Sequence, residues 1–229
     1  MLNMDKTMRY ENISAVSLIR FDFLKGEETD FDKLDKLKGF MPKHEGAALL
    51  KWAQEFSLLG PALEIGTFGG KSSLYLACGT SKNNQLVFTI DHHQGSEEHQ
   101  ADEEYFDPTI FDKKLNRVNT IPLMQSNLNK FKESKWIIPI IADSNKIASI
   151  WTIPLGLLFI DGSHTEVSAK SDYDNWKSKI LKDGALVIHD IYENSNEGGQ
   201  APHLIYKQAL LEGFSLHERI DTTVCLIKN

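Results

Sequence analysis

The stretch that most constrains the fold is a predicted strand, glycine turn and helix start at residues 63–73, which reads Leu-Glu-Ile-Gly-Thr-Phe-Gly-Gly-Lys-Ser-Ser. Glycine lets a backbone approach a ligand closely because it has no Cβ. The first N–H groups of a helix have no partner inside the helix, so they point out of its N-terminus. In an open parallel α/β sheet, such a turn is the usual place for a nucleotide-like cofactor.

The spacing of this turn excludes two common cofactor motifs. A phosphate-binding P-loop requires a glycine, four residues and then Gly-Lys-Ser/Thr. Gly70, Lys71 and Ser72 match its end, but Ile65 stands at its first position. A dinucleotide fingerprint requires Gly-x-Gly-x-x-Gly, and Phe68 stands where its second glycine belongs. What remains is an acidic residue followed by spaced glycines; an ordinary strand-to-helix turn is the alternative interpretation.

Composition and charge favour one globular domain. The chain has 229 residues, of which 41% are hydrophobic and 25% charged, and its formal net charge is −7. This length allows a large core, and an acidic chain matches nucleic acid poorly. Cys78 and Cys225 lie in apolar runs and are expected to be reduced core residues. No membrane helix or signal peptide is recognisable, so a cytoplasmic protein is expected.

Two segments are expected along the chain. Residues 1–41 mix apolar and charged stretches and are expected to form an N-terminal extension that caps the active site or joins a homodimer. Residues 42–229 are expected to form the main domain, which begins with an amphipathic helix over 42–58.

Apolar runs predict the strands of a parallel sheet. They are continuous rather than alternating, as is typical of strands covered on both faces. Helical stretches separate several of them, which favours an α/β fold. The runs are 62–65, 86–90, 137–142, 155–160 and 185–188. Two further helices, at 165–181 and 202–212, and two terminal strands, at 214–220 and 222–227, are also predicted.

A carboxylate lies at or near the end of each of these runs. The residues are Glu64, Asp91, Asp143, Asp161 and Asp190. Parallel strands bring their carboxyl ends to one edge of a sheet, where ligands bind in open α/β folds. Acidic residues also favour turns in general, but five of them along one edge are better explained by a binding site.

A long polar and aromatic connection, residues 92–136, separates the second run from the third. Its early part contains His92, His93 and His99, and a helix is expected within 115–131. Connections this long are usually functional, so we expect it to lie over the ligand edge as a lid or a substrate-recognition element.

The order of these pieces over residues 42–228 resembles the class I S-adenosylmethionine (SAM) methyltransferases. The resemblance is carried by residues 63–70 (LEIGTFGG), 89–91 (TID), 159–164 (FIDGSH) and 181–190 (LKDGALVIHD). The last two are similar to small bacterial methyltransferases with an Asp-Gly-x-His turn and a closing His-Asp pair, a group related to sugar and small-molecule O-methyltransferases. The resemblance implies an α/β, Rossmann-like three-layer sandwich with a seven-stranded, mostly parallel sheet and an antiparallel C-terminal strand.

The resemblance also implies which residues of the glycine turn meet the cofactor. Gly66 and Gly69, with Thr67 and Phe68 between them, would pass close under the methionine part of SAM. Glu64 would orient the turn or meet the amino group of the cofactor through water.

By the same resemblance, Asp91 would accept hydrogen bonds from the two ribose hydroxyls, because a carboxylate only accepts. His92 would lie beside the adenine, and Asp143 with Ser144 would lie at its edge. Asp161 would close the far side, near the cofactor amino group and the substrate.

Methyl transfer to a hydroxyl requires a nearby base, and histidine is the usual one at neutral pH. His164, three residues after the fourth run, and His189, at the end of the fifth, are the candidates. A histidine that merely bonds backbone at a strand end is the alternative for each.

A metal ion is the other route to an acidified hydroxyl. Asp161 and Asp190 would end neighbouring strands about 5 Å apart, and two carboxylates that close can hold Mg²⁺. Related metal-dependent sugar methyltransferases place an Asp-Asp pair where this chain has His189-Asp190. The imidazole suits Mg²⁺ less well than the oxygen ligand it replaces.

Two other functions remain open from the sequence. One is a nucleotide-sugar or NAD-binding oxidoreductase with a degenerate fingerprint, against which Phe68 argues. The other is a non-catalytic protein of the SAM-binding fold that scaffolds a partner. For an enzyme, the expected acceptor is a small hydroxylated molecule such as a sugar or a nucleotide-linked sugar.

Overall fold

The computed structural model describes residues 28–95, 107–163 and 165–229 of the chain. The chain divides into two compact units, residues 1–36 and 37–229. In the first unit, the described part contains helix α1, Glu28–Asp35. That residues 1–41 act as a cap or a dimer contact stays a prediction.

A seven-stranded sheet forms the centre of the second unit. The strands of this unit are β1 (Ala62–Ile65), β2 (Val87–Asp91), β3 (Phe111–Asp112), β4 (Arg117–Val118), β5 (Ile137–Ile141), β6 (Leu155–Ile160), β7 (Ile180–Ile188), β8 (Phe214–Ile220) and β9 (Thr223–Lys228). The sheet has the order β5-β2-β1-β6-β7-β9-β8, and β3 pairs with β4 separately. The first five strands in this order, β5, β2, β1, β6 and β7, are parallel to one another. Strand β9 is antiparallel to both of its neighbours. This topology confirms the predicted fold.

Helices cover both faces of this sheet. They are α2 (Lys43–Phe56), α3 (Lys71–Thr80), α4 (Ile121–Leu128), α5 (Ser144–Ile150), α6 (Glu166–Trp176) and α7 (Ala201–Leu211). The apolar residues of α2 recur every three or four positions, so Leu49, Trp52 and Phe56 lie on one buried face, as predicted.

The centre of the sheet carries the core, and its edge does not. Every residue of β1 and β6 is buried, which fits their continuous apolar sequence. Strand β5 lies at the edge, and Ile138 and Ile141 on it are exposed. The expectation that each run would be covered on both faces therefore fails at β5.

Strand β7 begins earlier than predicted. The helix expected over 165–181 ends at Trp176; a short 3₁₀ turn follows, and β7 runs from Ile180. Lys182, Asp183 and Gly184 lie inside the strand rather than at a helix end. Asp183 has a φ of 62°, and the pairing of β6 with β7 shifts register here, so these turn-forming residues make an irregularity within a strand.

Two smaller expectations concern cysteines and membranes. Neither Cys78 nor Cys225 forms a disulfide bond with a described residue. Cys225 is buried, as predicted, whereas Cys78 is only partly buried rather than a core residue. Within the described ranges, no helix is both long and apolar enough to cross a membrane.

Candidate cofactor and catalytic site

The predicted site residues gather at the carboxyl ends of four adjacent strands. Strands β2, β1, β6 and β7 are neighbours and run parallel, so their ends share one edge of the sheet. At that edge lie Asp91 (the last residue of β2), the turn after β1, Asp161 after β6, and His189 and Asp190 after β7.

Asp91 organises the glycine turn. Its Oδ2 accepts hydrogen bonds from the backbone N–H groups of Thr67 (3.1 Å) and Phe68 (2.8 Å). Its Oδ1 accepts from the N–H of His93 (2.7 Å). A carboxylate offers about four lone-pair positions, so Asp91 keeps capacity for a ligand hydroxyl after these three bonds.

Gly66 is required by the protein's own backbone. Its φ is +96°, and a Cβ built on it would lie 2.0 Å from the carbonyl oxygen of Asp161. A side chain at this position would therefore push the end of β1 away from the end of β6. Gly66 sets the spacing of the two strand ends that flank the site.

Helix α4 covers the second half of the turn, which the sequence analysis did not anticipate. The side-chain amide of Asn127 donates a 2.9 Å hydrogen bond to the carbonyl of Gly69, and Asn127 is buried. A Cβ on Gly69 would lie 3.1 Å from Leu123. Nothing in the composition of the 92–136 connection singles out Asn127.

Glu64 faces the interior rather than the open edge. It is fully buried, and its Oε2 accepts hydrogen bonds from the hydroxyls of Ser73 and Thr89. Burial raises the pKa of Glu64 to about 7. These contacts tie β1 and β2 to helix α3, which supports the expected role of orienting the turn.

Asp143 and Ser144 both have partners within the protein. Asp143 caps helix α5, because its Oδ1 accepts from the N–H groups of Asn145 (3.0 Å) and Lys146 (3.1 Å). The Ser144 hydroxyl donates to Asp172 of α6, whose pKa burial raises to about 6. Contact of either residue with adenine stays a prediction.

The described histidines of the 92–136 connection differ in burial. The side chain of His92 is 49% exposed, and its Nδ1 accepts from the N–H of Gln94 at 3.0 Å. His93 is buried, and its Nδ1 lies 2.7 Å from the Thr120 hydroxyl. His99 and His164 lie outside the described residues.

His189 lies buried among three carboxylates. Its Nδ1 is 3.0 Å from Asp161 Oδ1 and 3.3 Å from Asp190 Oδ2, and its Nε2 is 2.9 Å from Glu45 Oε2. Burial alone would lower the pKa of His189, but the charge of Asp161 and the hydrogen bonds that the ring donates to all three carboxylates raise it well above its ordinary value. An imidazole that is already protonated cannot accept a proton, so these surroundings do not suit a general base.

Glu45 is the functional candidate that the sequence analysis missed. It lies in the first turn of α2, is 1% exposed, and accepts through Oε1 from the backbone N–H (2.8 Å) and the hydroxyl (2.7 Å) of Thr222. A signal did exist, because Glu45 occupies the same helix face as Ala48, Leu49 and Trp52. An acid on an apolar face requires a buried partner, and His189 is that partner.

Comparisons with known proteins show the family and the fold of this chain. A protein-family model described as a methyltransferase domain matches residues 63–191. An O-methyltransferase from Bacillus cereus in complex with SAH is similar in structure, with a TM-score of 0.61 and 16% identity over 93% of this chain and 97% of that one.

Two further solved structures share the fold. The SAH-bound methyltransferase PaMTH1 from Podospora anserina has a TM-score of 0.59 and 14% identity, with 100% of both chains covered. The O-methyltransferase NovP has a TM-score of 0.60 and 14% identity, with 83% of both chains covered. At these identities the likeness shows the fold alone.

Proposed function

Because this chain belongs to the methyltransferase-domain family and is a SAM-dependent methyltransferase, we propose that it methylates a hydroxyl group of a small molecule, a sugar or a nucleotide-linked sugar. Two observations support a hydroxyl acceptor: the polar residues of the candidate site, and the similarity in structure to the two O-methyltransferases described above. The acidic chain, with its net charge of −7, also favours a small acceptor over nucleic acid.

The observation that carries the cofactor assignment is the contact between Asp91 and the glycine turn. A partly buried carboxylate at the end of β2, whose side chain is 17% exposed, accepts hydrogen bonds from Thr67 and Phe68 and lies where the ribose of a nucleoside cofactor would meet it. The capacity left on Asp91 suits a hydroxyl donor. In this proposal Gly66, Thr67, Phe68 and Gly69 carry the methionine end of SAM.

The remaining cofactor contacts follow the strand ends. His92, exposed beside Asp91, would lie along the adenine, and Asp143 and Ser144 would lie at its edge. Asp161, whose side chain is 20% exposed, would meet the amino group of the cofactor. Glu64 is buried and would act only by holding the turn.

The chemistry requires a methyl donor, an aligned acceptor and a proton acceptor. SAM supplies the methyl group on a sulfonium, and the protein positions the acceptor hydroxyl in line with it and excludes water. His164 is the residue we assign to removing the hydroxyl proton, because the carboxylates around His189 do not suit that role.

A crevice next to Asp161 is the proposed acceptor site. Its lining includes the polar residues Asp161, Ser163 and His189 and the apolar residues Ile188 and Pro202. Sugars present hydroxyls along their edge and C–H groups on their faces, which matches such a lining.

Calorimetry with SAM, SAH and NADH tests the cofactor. Micromolar binding of SAM and SAH without binding of NADH is expected. Binding of NADH instead would point to the oxidoreductase alternative. Transfer of labelled methyl from SAM to a panel of sugars, nucleotide sugars and catechols then tests the acceptor, and labelling of catechols alone would contradict the sugar assignment.

A further inference from the structure

His189 Nδ1 lies 3.0 Å from Asp161 and 3.3 Å from Asp190, the two carboxylates that would flank a divalent metal ion at this edge. Resting on the function proposed above, we propose that the His189 imidazolium replaces such an ion between Asp161 and Asp190, that Glu45 positions it, and that methyl transfer therefore needs no metal. Glu45 and His189 are thus positioning residues, which hold the two carboxylates that border the acceptor site.

Distance alone would allow a metal at this edge. Asp161, His189 and Asp190 each offer one ligand atom, and these atoms lie within 4.8 Å of one another. The hydrogen bonds decide otherwise. His189 Nδ1 already bridges the two aspartates, at 3.0 Å and 3.3 Å, so the ring nitrogen and not a vacant volume lies between their oxygens.

The pattern of donors and acceptors fixes the charge of the ring. An ionised carboxylate can only accept hydrogen bonds, so a ring nitrogen that faces one must carry a proton. Nδ1 faces Asp161 and Asp190, and Nε2 faces Glu45. Both ring nitrogens therefore donate, the ring carries a positive charge, and it has no lone pair for a metal ion.

Glu45 holds the ring in this orientation. Its Oε2 receives the Nε2–H of His189, while its Oε1 receives both hydrogen-bond donors of Thr222, at 2.8 Å and 2.7 Å. The carboxylate is thus fixed by the turn between β8 and β9. Because Glu45 is 1% exposed, water does not compete for these bonds.

Asp190 is fixed from the other side. Its φ of +59° is unusual for a residue other than glycine, and its Oδ1 accepts a 3.3 Å hydrogen bond from the Tyr192 hydroxyl. Backbone strain of this kind persists where surrounding contacts hold it. The two aspartates consequently meet the imidazolium in a set geometry, as they would meet an ion.

Binding of Mn²⁺, measured by electron paramagnetic resonance on the full chain with SAH present, tests the proposal. The described residues bring together another ligand-type group, His44, Glu45 and Asp221, so every titration uses an Asp221→Asn background. In that background no binding is expected at a Mn²⁺ concentration of about 1 mM, which is high enough to occupy weak oxygen sites. Binding that Asp161→Asn abolishes would overturn the proposal.

A substitution that restores an oxygen ligand gives the converse test. His189→Asp should raise Mn²⁺ affinity by about tenfold or more, because a third carboxylate takes the place of the cation. His189→Asn adds an oxygen without a charge and replaces the aspartate variant in this test if that variant does not fold. A smaller gain in Mn²⁺ affinity is expected for it. If neither variant gains affinity, the ring does not lie at an ion position and the proposal fails.

The ¹⁵N spectrum of the His189 ring tests the role of Glu45. At pH 8 the wild-type ring should show protons on both nitrogens. In Glu45→Gln the amide oxygen must face the Thr222 donors, so the amide N–H₂ faces Nε2 and forces that nitrogen to accept. One ring nitrogen should then lose its proton. Asp221→Asn is the control, because Asp221 lies in the same turn as Thr222 but its side chain pairs with His44, and it should leave the spectrum unchanged. An unchanged Glu45→Gln spectrum would remove Glu45 from the proposal.

The proposed function is tested separately by the SAH calorimetry. If the protein binds neither SAH nor Mn²⁺, the proposed methyltransferase function is contradicted, but the proposal that His189 replaces a metal ion stands. If it binds SAH and also binds Mn²⁺ at Asp161, the proposed function stands and the replacement of the metal ion is contradicted.

Discussion

The backbone amide of Phe68 donates a 2.8 Å hydrogen bond to the Asp91 carboxylate, which joins the glycine turn after β1 to the end of β2. The residue proposed to bind the ribose therefore also shapes the loop that would hold the methionine end. Loss of Asp91 should affect both ends of the cofactor at once.

We expect Asp91→Ala to weaken SAM binding by more than about 1 kcal/mol, because hydrogen bonds to the ribose and to the turn are both lost. Calorimetry measures this change. Asp112→Ala is the matched control, since Asp112 also accepts two backbone N–H bonds, from Lys114 and Leu115, but lies elsewhere. Equal SAM affinity for wild type and Asp91→Ala would remove Asp91 from the cofactor site.

His164→Ala should lower the rate of methyl transfer by about 10²-fold or more while SAH affinity is unchanged, because only the proton acceptor is lost. Transfer of labelled methyl and calorimetry report the two quantities. His217→Ala, which alters a histidine on the outer strand β8, should leave the rate unchanged. A His164→Ala rate equal to that of wild type would exclude this residue as the base.

Gly66→Ala should destabilise the fold by more than about 3 kcal/mol, because the added Cβ meets a backbone carbonyl at 2.0 Å in addition to the strain of a φ of +96°. Gly213→Ala isolates the strain, since Gly213 has a φ of +98° and nothing within 4 Å of an added Cβ. That control should cost only about 1 kcal/mol. Urea unfolding measures the free energy of unfolding of both variants. Equal losses of stability would show that the contact with the Asp161 carbonyl does not add to the cost of the Gly66 substitution.

Stability should depend on pH through Glu64. Burial raises its pKa in the folded state to about 7, above its ordinary value of 4.5. The folded protein keeps this proton at pH values where the unfolded chain has released it, so the Glu64 contribution to stability falls as pH rises through that interval and levels off above about pH 7. Glu64→Gln should abolish this fall, so its stability relative to wild type should rise by about 2 to 3 kcal/mol between about pH 5 and pH 8.

Urea unfolding at the two pH values checks the Glu64 prediction. The control is Glu212→Gln, because the hydrogen bond from Lys177 lowers the pKa of Glu212 and its titration ends below this range. The free energy of unfolding of Glu212→Gln should change with pH by the same amount as that of wild type. The same result for Glu64→Gln would mean that Glu64 is ionised in the folded protein at pH 5.

The sheet could be predicted from sequence because its strands are short, apolar and bounded by turn residues. The run 155–160 and strand β6 coincide, and the fold class follows from the alternation of strands and helices. The start of β7 could not be predicted, since Lys182, Asp183 and Gly184 favour a turn. They belong to the strand because Ile180 and Ala185, on either side of them, pair with β6.

The gathering of the candidate site residues could be predicted from the sequence, but their contacts only in part. Carboxylates at strand ends indicated one edge of the sheet, and Asp91, Asp161 and Asp190 do lie together there, because parallel strands align their ends. The partners of His189 were hidden, since Glu45 lies 144 positions away along the chain and meets it only through packing of α2 on the sheet. The apolar helix face around Glu45 indicates that this residue is buried, but nothing in the local sequence indicates which distant residue it contacts.

Strand β5 has a consequence for how copies of this protein can meet. It is an outer strand with exposed isoleucines, the kind of border at which a further strand from another molecule could join the ladder and start aggregation. Pro139 at its centre has no N–H to offer such a strand. Among the described strands the ladder stops at β5, and Pro139 disfavours its continuation into a second copy, so association of two copies at this border would depend mainly on side chains.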